Sequence, residues 1–398
     1  MLNERSLRIL SNPPTSESLF PNLRRLRCAY AAKYTNLLRL PFPSLVSLEF
    51  YFRDLQTSQD ALTSFSDFSP DIKRISLKTL RSHVASTNIV SRRICQWRNL
   101  QTMSCPLISL DADTLFHLSR IPALTQLSFS LRATVRASHS LLSFSNLRHV
   151  TLRSESLEHV SRFLCLTRLP AITTFVSINQ NCPSRRDLSS FLAGVRGSMT
   201  GNTIETLQLC QSLHWDDIPR SEVLILGLEE LRPCMKFTNL RQIDLQIKRD
   251  VYLTDSDLLT LAAAWPRLED LSINRTRGWN TQSGMTPNGL LQLLQICRSL
   301  RYIAMVLDTR GYDEFLGLPE NLRLAYQGTL IIYVLDSVIE TESVPAIAAF
   351  FAAIAPHSYF PVGIWYCGIM ENLPGWEAHV ERWKDVSRRV EDAVKRRY

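Results

Sequence analysis

The sequence lacks each of the short motifs that most often mark an enzyme active site. Its 398 residues contain no G-x-x-x-x-G-K-[ST] phosphate loop, no H-E-x-x-H zinc motif, no G-x-S-x-G nucleophile elbow and no G-x-G-x-x-G dinucleotide loop. These motifs hold a phosphate, a metal ion or a nucleophile in many hydrolases, kinases and dehydrogenases. Their absence predicts a protein that is not an enzyme, with no catalytic residues, no metal site and no cofactor.

Paired cysteines, a signal peptide and a membrane-length apolar run are also missing. The nine cysteines are odd in number and form no C-x-x-C pair, which predicts a reducing compartment and no zinc site. The opening MLNERSLRILSNPP has no apolar signal core, so we expect a cytoplasmic or nuclear protein. The uncharged stretch 343–370 has its longest apolar run at 346–355, which is too short for a bilayer core of about 30 Å. We therefore expect no membrane partner.

Long runs of one charge are absent as well, although the net charge is +8. Residues 1–200 carry a net charge of +13, and residues 201–398 carry −5. The basic residues occur singly and in pairs, such as Arg92 and Arg93, and not in the runs typical of nucleic-acid tracts. This pattern argues against nucleic acid and predicts different partners for the two halves.

What the sequence does contain is a repeated phrase. LTDSDLLTLAAAWPRLEDLSI occupies 253–273, and MTPNGLLQLLQICRSLRYIAM follows at 285–305, after a step of 32 residues. In the first copy Thr254 or Asp255 is suited to cap the N-terminus of a helix, and Pro266 ends that helix. The residues that follow alternate as in a strand with one buried face. The phrase therefore predicts a helix followed by a strand.

The strand half of this phrase recurs along the whole chain. Apolar anchors head the copies, spaced 22 to 36 residues apart: Leu23, Leu45, Ile72, Leu100, Leu124, Leu147, Ile172, Ile204, Leu240, Leu268 and Leu300. The third residue after every anchor is apolar, and the fifth is apolar or cysteine in all copies but one. The exception is Ser177, and we expect a register shift to Val176 and Ile178 there. Such spacing is typical of L-x-x-L-x-L repeats, whose neighbours bury one another's leucines.

The repeats predict an α/β leucine-rich-repeat solenoid, a curved horseshoe with a parallel β-sheet on its concave face and helices on its convex face. We expect about 12–13 irregular repeats over 23–370, with an N-terminal cap at 1–22 and an amphipathic capping helix within 371–398. Further helices are predicted at 156–166, 187–195, 221–231 and 343–355, and further strands at 329–336 and 360–366.

The phrase at 253–273 resembles the repeat of F-box/leucine-rich-repeat proteins, which runs L-T-D-x-x-L-x-x-L-x-x-x-C-P-x-L-x-x-L-x-L. Trp265 stands at the cysteine position, and Cys297 restores the cysteine in the next copy. LFPNLRRL and the segment 335–356 also resemble the F-box-like proteins of mushroom-forming fungi. The resemblance implies a substrate receptor in SCF ubiquitin ligation. No F-box is visible before Leu23, so we expect tight binding of a Skp-type adaptor and cullin ligase only for a longer form.

Three polar phrases are weaker candidates for chemistry. DAD at 111–113 and DSD at 255–257 precede helices, so helix capping explains them better than metal binding. LHWDDIPR at 213–220 combines histidine with aspartate, but its simplest role is a loop contact before a helix. The asparagine that follows the strand in many such repeats is missing at its expected place, which holds Ala31, Lys248, Thr276 and Asp308. The turns of these repeats must then use other partners for their backbone groups.

Residues two, four and six positions after each anchor should lie on the exposed face, because side chains alternate along a strand. The sites predicted to bind a protein partner on the concave face are Arg25, Arg27, Tyr51, Arg74, Lys78, His149, Arg153, Asp244, Asp270 and Tyr302. The same rule places Gln126, Ser128, Gln242 and Asn274 there. The face runs from basic to acidic, and arginine and tyrosine usually dominate protein contacts. A merely solvated polar face is the alternative.

The sequence as a whole predicts a non-catalytic protein-recognition module. The first hypothesis is a substrate receptor of F-box-like type in SCF ubiquitin ligation. The alternative is a leucine-rich-repeat scaffold with no role in ubiquitin ligation. In both cases the partners are proteins bound on the concave face.

Overall fold

The structure is a computed structural model, and it describes residues 20–29, 42–52, 71–79, 91, 94–132, 141–181, 183–211, 225–247, 249–276, 278–281, 284–313, 317, 330–354 and 375–396. The chain divides into two compact units. The first unit comprises residues 1–178 and 197–200, and the second comprises 179–196 and 201–398.

In the first unit, parallel strands lie side by side in chain order. They are β1 (Arg25–Ala29), β2 (Ser47–Phe52), β3 (Arg74–Thr79), β4 (Thr102–Ser109), β5 (Gln126–Leu131), β7 (His149–Ser154) and β9 (Thr174–Asn179). Two short strands, β6 (Leu142–Ser143) and β8 (Thr167–Arg168), pair with each other outside this sheet. A repeat produces this order because each copy returns beside the one before it.

The anchors and the residues three and five positions after them form the buried side of this sheet. From β2 to β9 all of these positions are buried, as at Ile75 and Phe129. In the first repeat Leu26 and Cys28 are only half-buried, because β1 is the first strand of the sheet and pairs on one side only among the described residues. The predicted pattern of burial is therefore confirmed, with a weaker core at the first repeat.

Ser177 is buried at the fifth position of its repeat, so the register shift predicted for this strand is wrong. Val176 and Ile178 lie on the opposite, half-buried side of β9. The register is held because the backbone N–H of Thr174 donates to the Arg148 carbonyl at 2.9 Å, as equivalent groups do between the preceding strands. The unbroken series of backbone hydrogen bonds between strands outweighs the preference for an apolar side chain at this one position.

Two helices of the first unit lie where the sequence predicts them. Asp111 caps α1 (Ala112–Ser119), since its Oδ1 accepts from the backbone N–H of Thr114 at 2.8 Å. Helix α2 (Leu157–Cys165) packs on the buried side of the sheet, where the Phe163 ring meets the Phe129 ring edge-on at a centroid distance of 5.7 Å. The residues two and four positions after the anchors lie on the other side of the sheet.

The second unit repeats the plan of the first unit. Its parallel strands follow in chain order as β10 (Thr206–Gln211), β12 (Gln242–Gln246), β14 (Asp270–Ile273), β15 (Tyr302–Ala304) and β16 (Ile331–Tyr333). Strands β11 (Ile225–Leu226) and β13 (Asp250–Val251) pair separately. The presence of β16 confirms the strand predicted within 329–336.

The remaining helices are α3 (Arg185–Ser198), α4 (Leu228–Leu231), α5 (Asp255–Ala264), α6 (Pro287–Ile296), α7 (Val344–Ile354) and α8 (Trp376–Lys395). The single helix predicted at 221–231 is wrong for its described part. Residues 225–226 form a strand and α4 begins only at Leu228, because Gly227 is extended, with φ −128° and ψ −171°. Residues 221–224 and the strand predicted at 360–366 lie outside the described residues.

The C-terminal helix α8 is amphipathic, as its spacing predicts. Val380, Trp383, Val386 and Val390 are buried, and charged residues occupy its other side. The indole N–H of Trp383 donates to the Ser337 carbonyl at 2.9 Å, which fixes the helix against the end of the last described repeat. The cap and repeat boundaries drawn from the sequence stay predictions.

The repeated phrase forms a physical link between α5 and α6. Thr254 caps α5 reciprocally with Asp257. Asp255 instead binds the next copy, because its carboxylate accepts from the backbone N–H and the hydroxyl of Thr286 at 2.8 and 2.7 Å. A Cβ on Gly289 would lie 2.0 Å from Asp255 Oδ1, so glycine is required for this approach. The first copy of the phrase therefore holds the second.

Asn274 departs from the prediction that placed it on the exposed face. Its side chain is buried and its backbone is left-handed, with φ 52°. Its Oδ1 accepts from the Ile247 N–H at 2.9 Å, and its Nδ2 donates to the Arg249 carbonyl at 2.6 Å. Strand β14 ends one residue earlier, so alternation no longer applies. The expected place of the repeat asparagine holds Thr276, and Asn274, two residues earlier, satisfies backbone groups of the preceding repeat.

Parallel strands added in chain order over buried anchors confirm the predicted fold class, an α/β leucine-rich-repeat solenoid. In the part of the chain that the structure describes, none of the helices combines the length and the apolar character that a membrane crossing requires.

Candidate functional site

In each unit, the open face is the side of the parallel strands that carries the residues two and four positions after the anchors. Tyr51, Lys78 and Arg153, each six positions after its anchor, also lie on this side. Strand register aligns these residues in rows. In the first unit one row reads Arg25, Ser47, Arg74, Thr102, Gln126 and His149. In the second unit one row reads Thr206, Gln242, Asp270, Tyr302 and Ile331. Row neighbours lie about 4.8 Å apart at the backbone, which is close enough for their side chains to interact.

Tyr51 is the centre of a charged network on the open face of the first unit. Arg27 and Lys78, from the strands on either side, donate to its hydroxyl at 2.8 and 3.1 Å. The hydroxyl in turn donates to Glu49 Oε1 at 2.8 Å. Both cations also lie over the Tyr51 ring, 5.0 and 4.9 Å from its centroid. Three of the predicted binding residues are thus brought together.

Glu49 is a member of this network that the sequence analysis missed. It lies four positions after Leu45, so the rule that selected the other residues also selects it. Hydrogen bonds from Lys78 and then from Tyr51 lower the pKa of Glu49, and the bond to Glu49 raises the pKa of Lys78. These groups are partly exposed, so they add little to stability, but they fix one another's orientation.

The other predicted residues of the first unit lie apart from this network. Arg25 and Arg74 are exposed on the two sides of Ser47 in the same row. His149 and Arg153 are exposed on β7, several strands away from Tyr51. The ten predicted residues are therefore not one site.

Asp270 lies half-buried on the open face of the second unit. Gln242 Nε2 donates to Asp270 Oδ2 at 3.2 Å, while Oδ1 is buried and has no hydrogen-bond partner in the described part of the chain. Burial raises the pKa of Asp270 to about 6, and the nearby Asp244 carboxylate adds to this, whereas Arg275 and the Gln242 hydrogen bond oppose it. The environment therefore disfavours the charged form of this carboxyl group.

Tyr302 joins Asp270 on this face and is held by residues that the sequence analysis did not select. Arg275 donates to the Tyr302 hydroxyl at 2.9 Å, and its guanidinium lies 5.8 Å from the ring centroid. The Tyr333 ring lies 5.1 Å from the Tyr302 ring. Burial raises the pKa of Tyr302 to about 12. Arg275 follows β14 and lies beyond the positions that strand alternation covers, while Tyr333 belongs to a strand without an assigned anchor.

Asp244, the third predicted residue of this unit, is held through Gln246. Gln246 Nε2 donates to Asp244 Oδ1 at 2.6 Å and to Ser272 Oγ at 3.1 Å. Gln246 Oε1 accepts from the backbone N–H and the hydroxyl of Thr276, both at 3.2 Å. The three residues predicted for the second unit therefore share one face, held in place by cross-strand hydrogen bonds.

The arrangement is suited to non-covalent contacts. Among the described residues, no group of three or more histidine, cysteine or acidic side chains is placed to hold a metal ion. Burial raises the pKa of Cys210 to about 11 and those of Cys234 and Cys297 to about 12, which keeps these groups as thiols and not as nucleophilic thiolates. The phrase at 213–220 lies outside the described residues.

Comparisons with known proteins identify leucine-rich-repeat structures but no family. No family model and no curated protein matches the chain. An internalin (inlF) from Listeria monocytogenes is similar over 85% of this chain and 74% of that one, with 11% identity and a TM-score of 0.35. A leucine-rich-repeat-containing protein from Legionella pneumophila is similar over 71% and 92%, with 13% identity and a TM-score of 0.34.

A plant peptide hormone receptor, solved in complex with RGF2, is similar over 91% of this chain and 55% of the receptor, with 12% identity and a TM-score of 0.31. Likenesses this low say nothing about ligands of the present chain. The fold of this chain is assigned from the order of its own strands and from the burial of its own anchor residues.

Proposed function

We propose that the chain is a leucine-rich-repeat scaffold that binds protein partners on the open faces of its sheets and is not an enzyme. This is the alternative that the sequence leaves beside an F-box-type receptor, and it requires no role in ubiquitin ligation. The contacts offered to a partner are hydrogen bonds, ion pairs and aromatic surfaces.

The observation that carries the proposal is that charged and aromatic side chains of the open faces are held by one another. Tyr51 is fixed between Arg27 and Lys78, and Tyr302 is fixed between Arg275 and Tyr333. Side chains fixed before binding lose less conformational freedom when a partner arrives. Tyrosine and arginine are also the residue types that most often dominate the energy of protein interfaces.

Peptide selection on the immobilised full chain tests this function without a known partner. A library of random displayed peptides is enriched on the chain, and the affinity of each enriched peptide is then measured on four variants. Y51A and Y302A change one open-face residue in each unit. R162A on α2 and Q292A on α6 are matched controls, since both side chains are exposed on helices.

We expect enriched peptides to lose about tenfold or more in affinity with Y51A or Y302A and less than about twofold with either control. Circular dichroism checks that all four variants fold. If the helix variants weaken the peptides as much as the open-face variants, or if no peptide is enriched, the proposed function is wrong.

A narrower function, that of a substrate receptor in SCF ubiquitin ligation, is a second proposal. It is supported by the resemblance of the phrase at 253–273 to the F-box/leucine-rich-repeat unit. Titration of the full chain with a purified Skp-type adaptor tests it. Sub-micromolar binding would support the receptor and would contradict the expectation that only a longer form binds the adaptor. Absence of binding is expected for both functions, so affinity capture from cell lysate separates them: cullin-ligase subunits among the captured proteins favour the receptor.

A cytoplasmic or nuclear location is proposed on the basis of the cysteines. The seven cysteines that the structure describes are free thiols, which suits a reducing compartment. Microscopy of a fluorescent fusion tests this, and secretion of the fusion would contradict it.

A further inference from the structure

Four cationic side chains lie on the two sides of strand β2 on the open face of the first unit. Arg25 and Arg27 belong to β1, while Arg74 and Lys78 belong to β3. The parallel register aligns Ser47 of β2 with Arg25 on one side and with Arg74 on the other. The cations therefore form two pairs, each of which spans β2.

One of these pairs already binds a carboxylate of the chain itself. Glu49 lies on β2, with Arg27 Nε at 3.4 Å and Lys78 Nζ at 2.9 Å from its oxygens. The Tyr51 hydroxyl donates to the same carboxylate at 2.8 Å. A guanidinium, an ammonium and a hydroxyl group on neighbouring strands are thus sufficient to hold a carboxylate on this face.

The second pair, Arg25 and Arg74, has a serine between its members where the first pair has a glutamate. Both arginines are exposed, and neither forms an ion pair with a residue that the structure describes. Two strand spacings separate their backbones by roughly 10 Å. Long guanidinium side chains at this separation can both reach an anion placed above Ser47, whose hydroxyl adds a donor.

We propose that Arg25, Ser47 and Arg74 bind a carboxylate from an aspartate- or glutamate-rich segment of a protein partner. The inference rests on the proposed function, because it names the class of partner for the same open face. Charge complementarity selects this occupant: the pair contributes two positive charges, and an arginine forms paired hydrogen bonds with a carboxylate. Glu49 provides the same contact within the chain.

The surroundings of the pair favour a protein segment over a nucleic acid. The Glu49 carboxylate lies within the patch and repels a continuous phosphate backbone. The next two strands offer uncharged side chains on this face, namely Thr102, Ser104 and Ser128, so the cationic patch is interrupted after β3 and Arg153 on β7 lies apart from it. Single-stranded nucleic acids follow longer cationic grooves with several stacking rings. A side-chain carboxylate needs only the local pair.

The test uses the full chain and two synthetic probes. One probe is a decapeptide of alternating glutamate and serine, and the other has glutamine in place of every glutamate. Calorimetric titration compares the wild-type chain with R25Q/R74Q. The control R98Q/R120Q removes two other exposed arginines of the same unit, from outside the strands.

We expect the acidic decapeptide to bind and the glutamine decapeptide not to bind. R25Q/R74Q should weaken the acidic decapeptide by about tenfold or more, whereas R98Q/R120Q should change its affinity by less than about twofold. E49Q should tighten it by about twofold to fivefold, because the substitution removes a negative charge and releases Arg27 and Lys78. Unchanged thermal unfolding would show that each variant is folded.

Several outcomes would overturn the inference. Equal losses in the two double variants would exclude Arg25 and Arg74 as the binding pair, and weaker binding by E49Q would contradict the competition with Glu49. A single-stranded decanucleotide that binds more tightly than the acidic decapeptide would assign the patch to nucleic acid.

The inference and the proposed function can fail separately. If neither the wild-type chain nor any variant binds the acidic decapeptide, while Y302A still weakens the selected peptides, the inference is wrong and the proposed function stands. If neither Y51A nor Y302A weakens the binding of the selected peptides, the proposed function is wrong as well.

Discussion

In the first unit the cationic side chains of the open face are largely exposed to solvent, whereas in the second unit Asp244, Asp270 and Arg275 lie half-buried near one another. The Arg27 side chain is 69% exposed and the Lys78 side chain 46%. Asp270, in contrast, has one oxygen that is buried and has no partner in the described part of the chain. Both faces are formed by parallel strands of the same repeat pattern. The difference in exposure therefore comes from the packing of the side chains and not from the backbone.

The two faces consequently shift the pKa values of their carboxyl groups in opposite directions. Hydrogen bonds from Lys78 and Tyr51 lower the pKa of Glu49, whereas burial raises that of Asp270. Exposed charges attract partners but add little to folding stability. Half-buried polar groups affect stability strongly, because each unmet hydrogen bond is costly. We therefore expect substitutions on the first face to leave stability nearly unchanged, whereas substitutions on the second face should change stability as well as binding.

The largest effect on stability is expected at Asn274 in the second unit. N274A removes the acceptor for the Ile247 N–H and the donor to the Arg249 carbonyl, and it places alanine at φ 52°. We expect a loss of about 3 kcal/mol in the free energy of unfolding, measured with urea. The control T151A changes a polar open-face residue of the first unit and should cost less than about 0.5 kcal/mol. Similar losses for both variants would show that the two hydrogen bonds of the buried Asn274 side chain do not stabilise the second unit.

The next largest effect on stability is expected from a substitution at one of two helical glycines, Gly289, with Gly197 as its control. G289A places a Cβ against the Asp255 carboxylate and breaks its bonds to Thr286, so we expect a loss of about 2 kcal/mol. Gly197 in α3 has nothing within 4 Å of an added Cβ, so G197A should be neutral or stabilising by about 0.5–1 kcal/mol. Urea unfolding measures both, and a stable G289A would show that the Asp255–Thr286 link does not hold the two repeats together.

The carboxyl groups of Asp270 and Glu49 should affect the pH dependence of stability with opposite signs. Asp270 has a folded pKa of about 6, above its ordinary value of 3.8, so between about pH 4 and pH 6 the folded state binds more protons than the unfolded state. Stability should therefore fall as the pH rises through this window. D270N should remove this slope and stabilise the protein by on the order of 1–2 kcal/mol at about pH 8.

Glu49 should show the opposite sign. Its folded pKa is lowered, so its contribution is present above its ordinary value of 4.5 and is lost as the pH falls through the folded value. E49Q should be slightly less stable than the wild-type chain at neutral pH and equal to it in acid. Thermal unfolding across the pH range measures both variants, and an unchanged slope in D270N would contradict the burial of Asp270.

The smallest effect on stability compares the two tyrosine hydroxyl groups. Y302F leaves Arg275 without its acceptor in a half-buried place, and we expect a loss of about 1 kcal/mol. Y51F removes a hydroxyl whose partners Arg27 and Lys78 are exposed and can bind water, so its cost should be below about 0.5 kcal/mol. Urea unfolding of both variants gives the comparison, and a larger loss for Y51F would reverse it.

Strand alternation was sufficient to predict the core and the sidedness of the sheets. Leu48 and Phe50 are buried and Tyr51 is not, because side chains two apart share a face whatever the neighbouring repeat contains. The register at Ser177 was predicted wrongly, since residue type alone does not reveal the hydrogen bonds that hold β9 in line.

Contacts between repeats could not be predicted in the same way. The link from Asp255 to Thr286 depends on the distance between two helices, which the sequence does not state. Asn274 leaves the strand pattern because β14 ends before it. Arg275 reaches Tyr302 from the turn that follows β14, beyond the positions that alternation covers. The rule could have selected Glu49, four positions after Leu45, and Gln246, six positions after Leu240.

Site-specific photo-crosslinking shows whether partners bind the open faces. A benzophenone side chain is introduced at Ser76 or Gln208 on the open faces, and at Arg162 or Gln292 on exposed helices. Each chain is irradiated with a peptide selected on the wild-type chain, and the products are identified by mass spectrometry. If partners bind the open faces, crosslinked peptide will form from at least one open-face position and from neither helix position. Crosslinks from the helix positions alone would contradict binding on the open faces.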